Sequence, residues 1–175
     1  MLQSRDVFVA LSLHVLADPA KSFERLESEV GLSASTLHRS VHRLRAAGLV
    51  TRERVVRRAD LMDLIVYGVR YVYYVEPGAL TRGLPTAHAA PPLNQTLTQS
   101  STVPVWPDSH GVVRGFAVEP LDKAVPAAVR RNPKLYELLA LVDAIRIGQP
   151  RERNLAVEHL NVLLGAPTPL AAQSS

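Results

Sequence analysis

The sequence predicts a mainly α fold with small β-elements, an α+β chain. Three observations point to it. Apolar residues recur at three- and four-residue spacing near both ends of the 175-residue chain, as amphipathic helices require. Short β-branched and aromatic runs interrupt that pattern in the middle. Nine of the thirteen prolines fall between Pro77 and Pro133, with Gly78, Gly83, Gly111 and Gly115 among them, and that density argues against long regular elements there. The expected organisation is an N-terminal unit over 1–76, a Pro/Gly-rich module over 77–133, a helical hairpin over 134–164 and a disordered tail over 165–175.

The first helix is expected from Ser4 to Ala17, where Val7, Phe8, Leu11 and Val15 form a stripe and Asp18-Pro19 stops it. His14 lies near that stripe and reads as a structural histidine. A second, short helix follows with Phe23, Leu26 and Val30 on one face. Gly31 then supplies the left-handed backbone of a sharp turn, Leu32 plugs the angle, and Ser33 caps the next helix through its hydroxyl. In that third helix Leu37, Val41 and Leu44 face inward, while Ser35, Thr36, His38, Arg39, His42 and Arg43 occupy the other side. A helix with a packed back and a front of hydroxyls and arginines suits the major groove of duplex DNA, where arginine reads guanine and hydroxyls pair with several base edges.

The segment Leu26 to Ser33, the run Ser35-Thr36-Leu37-His38-Arg39 and the exit Leu44-Arg45-Ala46-Ala47-Gly48-Leu49-Val50 resemble the winged helix-turn-helix transcriptional regulators, in particular the MarR family. The resemblance covers about the first third of the chain. It implies a DNA-binding domain in which a recognition helix is followed by a β-hairpin wing. Glu27 departs from the family pattern, which has a small residue there to let the helices approach.

Charge points the same way without the resemblance. From Ser33 to Arg58 there are seven arginines (Arg39, Arg43, Arg45, Arg52, Arg54, Arg57, Arg58) and one acid, Glu53, a balance of 7 − 1 = +6. The whole chain carries +4, so the remainder sums to 4 − 6 = −2. Such a concentration suits phosphate contacts, each of which steepens the salt dependence of binding by roughly 0.9 log units per log of salt.

Val50 to Arg58 is expected to be extended, but no Gly, Asn or Asp turn is available to close a wing hairpin. Asp60 to Val69 predicts a helix capped by Asp60, with Leu61, Leu64, Ile65 and Gly68 on one side. Tyr71-Val72-Tyr73-Tyr74-Val75 predicts a strand. Within the Pro/Gly-rich module, Trp106 to Val112 reads as a turn between two short strands, the second returning along the first as a hairpin, and Gln95 to Thr102 as a mobile stretch. Farther on, Pro133 opens a helix with Leu135, Leu138, Leu139, Val142 and Ile145 in phase, and Gly148-Gln149-Pro150 separates it from a last helix striped by Ala156, Val157, Leu160, Leu163 and Leu164. Those two apolar faces are to be covered by the body of the protein or by a second copy.

Other classes are disfavoured. With no cysteine there is no disulfide framework and no cysteine-based zinc site. No apolar run approaches the length that spans a bilayer, and the first residues lack the pattern of a secretory signal, so a cytoplasmic location is the default expectation. His88, Asp108, His110 and Glu119 have the chemistry of metal ligands but no diagnostic spacing. No nucleophile with an orienting acid and an oxyanion site is visible, so no enzyme, cofactor or metal is expected.

The functional expectation is a sequence-specific transcriptional regulator, a repressor binding double-stranded DNA as a homodimer on a pseudo-palindromic site. Ser35, Thr36, Arg39 and Arg43 are the expected base readers, with Ser33, His38 and His42 flanking and Arg45, Arg52, Arg54, Arg57 and Arg58 on phosphates. Two alternatives stay open: an antitoxin-like autoregulator whose C-terminal part grips a partner protein, and a regulator with a small-molecule pocket lined by Trp106 and the tyrosines.

Overall fold

The structure is a computed structural model and describes residues 1–16, 23–98 and 101–165. The helix stop at Asp18-Pro19 and the tail beyond Gly165 lie outside them, as do two residues of the stretch read as mobile, Gln95 to Thr102. Among the described residues the architecture is α+β, with eight α-helices and one small sheet. No described helix is long and apolar enough to cross a membrane.

Helix α1, Ser4–Val15, opens on a reciprocal cap in which the Asp6 carboxylate accepts the Gln3 amide at 2.8 Å. Its residues Val7 to Leu11 are all buried, because α1 packs against both α3 and α7. Helix α2, Phe23–Val30, buries Leu26 and Val30. The turn that follows has Gly31 at φ +75°, the left-handed backbone that glycine adopts without strain. Helix α3, Ala34–Ala46, buries Leu37, Ser40, Val41 and Leu44. It ends before Gly48, whose φ is +77°.

The chain then makes a short hairpin. The Arg57 amide donates to the Leu49 carbonyl and the Thr51 amide to the Val55 carbonyl, each at 2.8 Å, and Val50 bridges Val56 in antiparallel fashion. The turn for which no Gly, Asn or Asp was available is closed by Arg54 at φ +66°. A non-glycine residue in that region is uncommon, so composition did not reveal it.

Helix α4, Arg58–Tyr67, starts two residues before the expected cap. Asp60 therefore lies inside the first turn, where an acid suits the helix dipole. Helix α5, Val69–Val72, continues almost directly from it; it takes up the first two residues of the strand expected over 71–75, and residues 73–75 form no strand. The reason is periodicity. Leu61, Ile65 and Val69 are buried, and Tyr73 packs against the core one turn later. A four-residue repeat is helical, and β propensity yields to that burial.

Three strands follow: β1, Leu80–Pro85; β2, Pro104–Pro107; and β3, Val113–Ala117. Each pairs with both others. β1 runs antiparallel to β2 (Leu84 opposite Trp106) and to β3 (Arg82 opposite Arg114), so β2 and β3 are parallel (Pro104 opposite Phe116). The hairpin expected between β2 and β3 is thus absent, because β1 supplies the antiparallel edge to each. Gly111 makes the crossing possible. A Cβ there would collide with the Gly83 backbone, so the connection passes β1 at a residue that has no side chain.

Helix α6, Val125–Arg131, leads into α7, Pro133–Ile147, whose cap is the Asn132 side chain accepting the Leu135 amide at 3.1 Å. The last helix, α8, Pro150–Leu164, begins on a Gln149/Glu152 capping box and ends at Gly165. The expected stripes hold: Leu135, Leu138, Leu139, Val142 and Ile145 of α7 are buried, as are Ala156, Leu160 and Leu164 of α8. But α7 is buried on every side from Leu138 to Arg146, since α1, α4, α5, α6 and α8 pack around it. One continuous apolar cluster runs from Val7 to Leu164. The C-terminal pair is therefore not a detachable hairpin, and the body of the protein covers the face offered to a second copy.

Candidate nucleic-acid interface

The site is built around α3 and the hairpin of residues 49–57. Ser33 caps α3, its hydroxyl accepting the Thr36 amide at 3.4 Å. A second cap comes from α2, because the Glu27 carboxylate accepts the Ala34 amide. Glu27, the departure from the family pattern, thus ties the two helices together through the orphan amides at the start of α3. Its spacing of seven residues from Ala34 crosses the turn, so no local cap pattern exposes it.

The outward row of α3 begins with a hydroxyl cluster. Ser33 Oγ lies 3.2 Å from Ser35 Oγ and 3.0 Å from Thr36 Oγ1, which in turn accepts from Arg39 Nη2 at 3.4 Å. Arg39 and His42 are exposed one turn apart. His42, Arg45, Arg52 and Arg57 line one depression between the last turns of α3 and the hairpin, with Gly48, Val50 and Thr51 as its floor and Glu53 at its edge. The Glu53 carboxyl is held below the ordinary carboxylate range by hydrogen bonds from its own amide and the Thr51 hydroxyl, and by the nearby Arg52 and Arg45 charges. It stays ionised and offsets part of the local positive field.

Several residues expected here are used for structure instead. Arg43 points back into the molecule, donating to the Asp6 carboxylate through Nε and Nη2 at 2.7 Å each and to Ser40 Oγ at 3.2 Å. Asp6 is 1% exposed, so this two-pronged pair is a clamp between α1 and α3. That hydrogen bond also raises the already high Arg43 pKa. Arg43, expected to read a base, thus has its Nε and Nη2 engaged inside the molecule by Asp6 and Ser40. Arg58 lies in α4 and donates to the Leu164 carbonyl at 3.3 Å, which ties it to the end of α8. Arg45 donates to the Thr51 and Arg52 carbonyls at 3.2 and 2.6 Å, fixing the hairpin against α3. His38 stacks on Phe23 with ring centres 4.0 Å apart, and the Arg54 guanidinium sits 4.8 Å from the same ring centre. Phe23 thus gathers α2, α3 and the hairpin tip, a role its place in an apolar stripe did not disclose.

The other constellations do not assemble. His88 faces Glu152 at 3.8 Å, and Asp108 pairs with Arg130 and caps the His110 amide. Among the described residues no group of three or more His, Cys, Asp or Glu is arranged to hold a metal ion. Trp106 is 1% exposed and donates to Asp143 at 2.6 Å, so it fills the core where a ligand pocket was expected. Asp143 also accepts from Thr86 at 2.8 Å and Arg146 at 2.7 Å. Arg146 reaches the Tyr73 and Glu119 carbonyls, which joins the sheet module to the end of α5 through α7.

No family model, no curated protein and no solved structure matches this chain.

Proposed function

We propose that the chain is a sequence-specific regulator of transcription that binds duplex DNA through α3 and represses its target. The observation that carries this reading is the depression that His42 of α3 shares with Arg52 and Arg57 of the hairpin, with Arg39 exposed one turn before His42 on the same helix. A helix of that kind fits the major groove while flanking arginines neutralise phosphate. Ser35, Thr36, Arg39 and His42 then read bases, and Arg52 and Arg57 hold the backbone. Two copies on a pseudo-palindromic site, and a cytoplasmic location, go with the reading.

The test is binding of the purified protein to the DNA upstream of its own coding sequence, with random duplex as competitor, at two salt concentrations. Selective, salt-sensitive binding is expected. Arg57→Ser lowers affinity for all sequences alike and flattens the salt slope by roughly 0.9 per lost phosphate contact. Binding indifferent to sequence and salt would sink the proposal.

A further inference from the structure

We propose that two copies of the chain pair through the outer face of α4 and α5, in an antiparallel two-fold contact centred on Tyr67. Tyr67, Tyr71, Val72 and Tyr74 are 67, 73, 63 and 71% exposed. Of these, Tyr67 and Tyr71 lie one turn apart on the same side of the segment and form the apolar centre of the contact. Tyr67 and Tyr71 cannot turn inward, because Leu61, Ile65 and Val69 already fill the opposite side. Gly68 keeps a right-handed helical backbone between α4 and α5. Asp63, Tyr67 and Tyr71 therefore follow one another at four-residue spacing along one side, with Arg70 beside them.

Charge selects the occupant. Asp63 stands at one end of the patch and Arg70 toward the other, and among the described residues neither has an ion-pair partner in its own chain. A two-fold contact sets a surface against its own reversed copy. Pairing centred on Tyr67 brings Arg70 of each copy to within about one residue position of Asp63 on the other, so two ion pairs flank a tyrosine core. A nucleic acid does not suit this face, where Asp60 and Asp63 outnumber Arg70. The contact goes beyond the DNA-binding proposal, and its test uses no DNA, so either can fail alone.

Sedimentation velocity of the full chain over a concentration series reads the association directly. The wild type is expected to form dimers. Replacing Tyr67 and Tyr71 together by Ser raises the dimer dissociation constant about tenfold or more, with an unchanged circular dichroism spectrum. Asp63→Arg and Arg70→Asp each weaken self-association, and an equal mixture of these two variants pairs again, since one cross-copy ion pair returns in its original sense and the other with its signs exchanged. A wild type that stays monomeric throughout, a dimer indifferent to these substitutions, or variants that fail to pair on mixing would each overturn the contact.

Discussion

Helices α3 and α7 have similar lengths, 13 and 15 residues, and opposite relations to solvent. α3 buries one face and presents a row of hydroxyl, imidazole and guanidinium groups on the other. α7 is wrapped on all sides, and its two charged residues in the buried stretch, Asp143 and Arg146, answer each other and the main chain around them. Arginine thus does two jobs in one chain. Where its donors are consumed by carboxylates and carbonyls, it holds the fold together. Where they remain exposed, it is available to a partner. Arg43 and Arg39 show the contrast within a single turn of α3.

Breaking the α7 end of this contrast should have the largest effect. Asp143→Ala leaves Arg146 as a buried, unpaired charge and takes the acceptor from Thr86 and Trp106, at a cost of about 3–5 kcal/mol. Urea unfolding measures it, and a midpoint close to wild type would show that Arg146 finds another partner.

Arg43→Ala tests the middle case. Losing the clamp to Asp6 should lower stability by about 1.5–3 kcal/mol, while the ranking of DNA sequences by the folded variant stays as in wild type. A changed ranking would mean that Arg43 leaves Asp6 to read a base.

Arg39→Ala is the converse. It should leave the urea midpoint within about 0.5 kcal/mol of wild type and cost roughly 1–3 kcal/mol in discrimination at one base position, read by competition binding with single-substitution duplexes.

The smallest effect comes from His14, at the junction of α1 and α8. Burial lowers its pKa below 6.5, and the nearby Arg58 and Lys134 charges push the same way against a hydrogen bond to the Leu163 main chain. The folded state therefore favours neutral imidazole, and below 6.5 the unfolded chain binds the proton first. The His14 contribution is complete above 6.5 and is lost as pH falls through the lowered folded value. His14→Gln should flatten stability against pH in that window, and an equal slope in both proteins would refute the assignment.

The local rules were legible. Gly31 has positive φ, Ser33 caps α3, and the stripes of α1, α3, α7 and α8 face inward because each follows from neighbours within one or two turns. The misses have a common cause. Arg43 looked like its neighbour Arg39 because Asp6 lies 37 residues away. The hairpin looked unclosed because Arg54 takes a backbone usually left to glycine. The strand expected over 71–75 did not form, and its first two residues joined α5, because Leu61, Ile65 and Val69 fixed a helical phase against α7.

By itself the sequence determined the helices α1 to α4, α7 and α8, where the turn before α3 falls and that positive charge gathers between Ser33 and Arg58, since periodicity, capping and charge are properties of neighbouring residues. Only the tertiary structure decided which of those arginines face outward, that α7 is a core helix and that β1 stands between two parallel partners. Those outcomes depend on what arrives from distant parts of the chain to occupy each donor and cover each apolar face.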